Sequence, residues 1–83
     1  MTYRVVLTTT SEKQLKKLET NIQERILDTL ERIKTRPYDF VKKLSGSSDY
    51  RLRVGDYRII VKIINDQLII LVLEVGHRRN IYK

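Results

Sequence analysis

Between Leu68 and Val75 only Glu74 interrupts an otherwise apolar stretch, and Leu68 to Leu73 is unbroken. Flanked by the turn residues Asn65-Asp66 and Gly76, such a run reads as a central strand covered on both faces. It is far shorter than the roughly 18 apolar residues a membrane span needs. A strand of this kind demands a sheet around it and helices upon it. At 83 residues the chain is expected to form one domain, 1–83, with a single core.

The helices are found upstream. Tyr3 to Thr8 is rich in β-branched and aromatic residues and reads as a first strand; Ser11 with Gln14 then forms a capping box for a short helix carrying Leu15 and Leu18. A second helix opens at Thr20 with Gln23, or at Asn21 with Glu24. Its stripe Ile22, Ile26, Leu30, Ile33 is spaced by four, four and three, and Pro37 stops it. Tyr38 to Asp49, with Lys42-Lys43-Leu44 and Ser45-Gly46-Ser47-Ser48, reads as a connection. Tyr50, Leu52 and Val54 then alternate with Arg51 and Arg53, Gly55-Asp56 makes a two-residue hairpin turn, and Tyr57 to Ile64 returns. Asn65-Asp66 reads as a second tight turn, and Gly76 as the end of the last strand. The expected fold is α+β: a small β-α-α-β-β-β domain with a helical hairpin packed on a mainly antiparallel sheet.

Seventeen Lys plus Arg against ten Asp plus Glu give a net charge of +7, which points to a polyanionic partner. Solubility alone is the competing explanation. Cysteine is absent and His77 is the single histidine, so thiolate chemistry and a histidine-based zinc site are excluded, no cofactor is expected, and a reducing cytoplasm is the default compartment. The helical carboxylates fall at ordinary solvated spacings, which argues against a metal; Glu74, inside the apolar strand, has no explanation at this level.

Placement makes the charge specific. A two-residue turn at Gly55-Asp56 sets Arg53 directly opposite Arg58, with Arg51 diagonal to them. Like charges so placed destabilise a sheet by roughly 0.2–1 kcal/mol unless an anion compensates. Guanidinium is suited to that anion being a phosphate, because its planar fork of donors matches the oxygens. Carrying the register through Asn65-Asp66 puts His77 on the same face as Arg58. Arg79, Lys43 and Lys62 extend the set as candidate RNA contacts, and Tyr82 is an aromatic that could stack on a base or trade a proton. The alternative is a strand edge blunted by charge, a device that more often uses lysine.

The segments Tyr50-Arg51-Leu52-Arg53-Val54-Gly55-Asp56-Tyr57-Arg58 and Val75-Gly76-His77-Arg78-Arg79-Asn80-Ile81-Tyr82 resemble the RelE toxin family of the RelE/ParE superfamily, and the resemblance spans essentially the whole chain. It implies a cytoplasmic toxin that enters the ribosomal decoding site and cleaves mRNA there. It further implies silencing by an acidic RelB-type antitoxin, with no membrane partner and no DNA contact except through the antitoxin complex. By matching position, Arg51 and Arg53 stand where relatives place basic residues near the substrate phosphate and attacking hydroxyl. Arg58 and Arg78 match catalytic arginines, His77 replaces a basic residue, and Tyr82 fits a C-terminal tyrosine. The implied chemistry is metal-independent attack of a 2′-hydroxyl on the adjacent phosphate, with Tyr82 or His77 as proton carrier. A ParE-like toxin acting on gyrase, or a non-catalytic RNA- or antitoxin-binding module, are the alternatives.

Overall fold

Partners for the long apolar strand come from both halves of the chain. In the computed structural model, which describes residues 2–77, β5 (Ile69–His77) lies between β1 (Arg4–Leu7), parallel to it, and β4 (Tyr57–Ile64), antiparallel. Beyond β4 come β3 (Tyr50–Val54) and β2 (Val41–Lys43), both antiparallel to their neighbours, so the sheet order is β1-β5-β4-β3-β2. The α+β reading holds, with one strand more than expected. β2 forms inside the stretch read as a connection: three residues leave no room for an alternation to show, and its two lysines are the usual protection of an edge.

Helices α1 (Thr9–Lys16) and α2 (Thr20–Arg32) cover one face. The stripe on α2 behaves as its spacing predicts: Ile26, Leu30 and Ile33 are buried against Leu52, Ile59, Val61, Ile70 and Val72 of the sheet. The cap of α1 sits three residues earlier than expected. Thr8 Oγ1 accepts from the Ser11 N–H at 3.0 Å, which leaves Gln14 inside the helix, where its Oε1 accepts from the Val75 N–H at 2.7 Å. Gln14 thus satisfies an edge group of β5 past the end of β1 instead of closing a capping box. At α2 the cap is Glu19, without a side-chain bond, and Gln23 reaches back to donate to the Leu18 carbonyl at 2.8 Å. No helix among the described residues is long and apolar enough to cross a membrane.

Two expectations for β5 are corrected. The strand runs through Gly76 to His77, and only one of its faces is fully buried: Ile70, Val72 and Val75 lie under the helices, while Ile69 and Leu71 on the other side are half-buried. The β4–β5 connection is also longer than a tight Asn65-Asp66 turn. Ile64 pairs with Ile69, so residues 65–68 form the loop, with Leu68 at φ +54°. Leu68 is held there from two sides, its N–H on the Asn65 carbonyl and its carbonyl accepting from Arg4. The Tyr3 and Tyr38 hydroxyls both donate to Asn65 Oδ1, at 2.8 and 2.9 Å.

Candidate nucleic-acid interface

The β3–β4 hairpin sets the geometry of the basic face. Gly55 has φ +58° and Asp56 has no positive φ, the sign pattern of a type II′ turn, whose twist matches the strands it joins. Val54 therefore pairs with Tyr57 and Arg53 with Arg58, as the two-residue turn predicts. The alternation then sorts the side chains. Leu52, Val54, Ile59 and Val61 turn toward the helices; Arg51, Arg53, Arg58 and Lys62 turn to the other face.

That face gains a residue the sequence reading missed. β2 pairs so that Lys42 stands opposite Arg51, while Lys43 is opposite Tyr50 and falls on the helix-covered side. The sheet thus carries two like-charge cross-strand pairs, Lys42–Arg51 and Arg53–Arg58, each unfavourable in isolation. Recognising Val41–Lys43 as a strand is the step that would have exchanged Lys43 for Lys42. Arg51 and Arg58 are half-buried and Arg53 is exposed, its Nε donating to the Gly55 carbonyl at 3.2 Å. Lys62, expected as an RNA contact, is already engaged: its Nζ lies 3.1 Å from Asp49 Oδ1.

His77 is not on this face. From the loop inward, Ile64 pairs with Ile69 and Val61 with Val72, an even-with-odd register, but Ile60 pairs with Glu74. Leu73 is an extra residue on β5, a β-bulge, and it reverses the alternation for everything beyond it. Gly76 therefore stands opposite Arg58. His77 stands opposite Tyr57, the rings edge to face at 5.5 Å, on the side of the helices. The same bulge delivers Glu74 to the arginine face, where Ile60, 6 % exposed although outside the helix-covered core, lies between Arg51 and Glu74. Arg78, Arg79 and Tyr82 lie outside the described residues.

Chemically, this is a surface for a polyanion. Lys42, Arg51, Arg53 and Arg58 come from three adjacent strands onto one face; a hollow of about 730 Å³ is walled by residues 43–48 and includes none of them. Among the described residues no group of three or more His, Asp or Glu side chains could hold a metal ion.

Two helices on a five-stranded mixed sheet match the fold of RelE/ParE toxins. The toxin-antitoxin complex RelBE2 from Mycobacterium tuberculosis contains a chain that superposes with a TM-score of 0.86 at 26% identity, covering 94% of this chain and 100% of that one. The archaeal RelE-RelB complex from Pyrococcus horikoshii gives 0.81 at 31% identity, covering 96% and 99%. In sequence, a candidate toxin RelE1 from Methanocaldococcus jannaschii is 31% identical over 77 residues, 86% of this chain and 84% of its relative. The family model described as the ParE toxin of type II toxin-antitoxin system, parDE, matches residues 5–82. The chain belongs to that family and is a type II toxin of the RelE/ParE superfamily.

Proposed function

We propose that this toxin is an mRNA endoribonuclease that acts in the cytoplasm on message held in the ribosomal decoding site, and that an acidic RelB-type antitoxin silences it. The observation that carries the reading is the convergence of cations from three adjacent strands on one face, Lys42 opposite Arg51 and Arg53 opposite Arg58. Guanidinium forks gathered in this way suit the oxygens of a phosphate supplied from outside. The relatives named RelE favour RNA as that anion.

In this mechanism a 2′-hydroxyl attacks its own 3′ phosphate, the O2′–P bond forms as the P–O5′ bond breaks, and a 2′,3′-cyclic phosphate and a 5′-hydroxyl end result. Arg58 and Arg78 hold the charge on the pentacoordinate phosphorus, which is where fixed donors contribute most to catalysis. Arg51 and Arg53 position the backbone, Lys42 and Arg79 extend the track for the strand, and Tyr82 is a proton carrier. Primer extension on programmed ribosomes tests this: wild-type toxin leaves a cut within the decoding-site codon, and the 3′ ends carry cyclic phosphate.

The match to a ParE model supports a second reading, a toxin that binds gyrase and cuts nothing. Intact message together with inhibited DNA supercoiling would decide for it. Intact message with neither effect would leave a binding module.

A further inference from the structure

We propose that Glu74 is the proton acceptor of the cleavage reaction, taking the proton of the attacking 2′-hydroxyl; the assignment rests on the ribonuclease reading above. An acid in the middle of an apolar strand needs a reason, and the Leu73 bulge supplies its placement. Without the extra residue Glu74 would share the alternation of Ile70 and Val72 and enter the core; with it, Glu74 stands on the arginine face.

There Arg51, Ile60 and Glu74 form one row across β3, β4 and β5. At about 4.8 Å between strands, the backbones of Arg51 and Glu74 are about 10 Å apart, with the buried Ile60 packed between them, so the two charged groups flank one stretch of the face. Arg58 lies diagonal to Glu74, and its direct partner, Gly76, has no side chain to fill the space between them. Lysine and arginine stay protonated at neutral pH, and Asp49 is committed to Lys62, so on this face Glu74 is the described side chain suited to accept a proton. The guanidinium groups stabilise the alkoxide as it forms, so a carboxylate suffices as base. The proton passes from O2′ to the Glu74 carboxylate, the 5′ oxygen leaves with a proton that Tyr82 relays from water, and Glu74 releases its own to solvent.

The test is single-turnover cleavage on programmed ribosomes by wild type, Glu74→Gln and Glu74→Asp, reading the rate at saturating toxin and the concentration giving half that rate. A merely electrostatic Glu74 and a proton-accepting one predict opposite signs, because the Gln variant removes a negative charge from a basic face. Expected is a loss of at least about 100-fold in the saturated rate for Glu74→Gln, with half-saturation unchanged or at lower concentration. Glu74→Asp should retain an intermediate rate, and thermal midpoints should agree among all three, since the side chain is exposed. A Gln variant that cuts as fast as wild type, or faster, overturns the assignment while leaving the ribonuclease reading intact. A wild type that yields no cyclic phosphate overturns both.

Discussion

Gly55 illustrates how one residue sets the site. Its φ of +58° is the left-handed region that side chains adopt reluctantly, and a Cβ there would meet the Arg25 guanidinium at 3.3 Å. Arg25 can move, being a flexible side chain, so the backbone term dominates. Gly55→Ala should therefore destabilise the fold by about 1–2 kcal/mol, read as a lower denaturation midpoint. An unchanged midpoint would mean the turn is made in another conformation. Arg58 is the residue on which the cleavage reading is tested most directly. Arg58→Gln removes a guanidinium fork from the basic face and leaves a neutral polar side chain in its place. Cleavage should fall by about 10²–10³, the cost of deleting one preorganised donor to a developing anion. A variant that cleaves as fast as wild type would take Arg58 out of the reaction.

Among the elements, what the sequence discloses depends on whether a pattern has length and contrast. α2 has both: Ile26, Leu30 and Ile33 recur at helical spacing among charged residues, and all three are buried. The β3–β4 hairpin is equally legible, because arginines alternate with apolar residues and Gly55-Asp56 fixes the register. β2 is too short to alternate, so Lys42 went unrecognised and Lys43 stood in its place. β5 fails for want of contrast. In a strand apolar on both sides an inserted residue leaves no break, and the parity that carried His77 to Arg58 was lost at Leu73. One signal was present: Glu74 is even-numbered like Ile70 and Val72, and an unbroken strand would have buried it with them. The cap of α1 is a testable case of local contrast. Thr8 Oγ1 accepts from the Ser11 N–H and also donates to the Leu73 carbonyl at 3.3 Å, tying helix to sheet beside the bulge. Thr8→Ala should cost about 1 kcal/mol by chemical denaturation, and Thr8→Ser should restore most of it.

For the molecule as a whole the question is whether the net charge of +7 acts as a diffuse attraction or through one face. Lysines are also exposed on the helix side, among them Lys13 and Lys16 of α1, across the sheet from Arg51 and Arg53. Two double variants, Lys13→Gln with Lys16→Gln and Arg51→Gln with Arg53→Gln, therefore change the net charge equally and differ only in where it is removed. Binding to single-stranded RNA releases counterions in proportion to the phosphates neutralised, so the logarithm of affinity falls with the logarithm of salt at a slope of about −0.7 per contact. The sheet variant should flatten that slope by about 1.4 and weaken binding most at low salt. The helix variant should weaken binding slightly through the long-range field and leave the slope near that of wild type. Equal flattening by both would place the nucleic acid in the general potential of the protein and leave the antitoxin carboxylates as the candidate ligand of the basic sheet face.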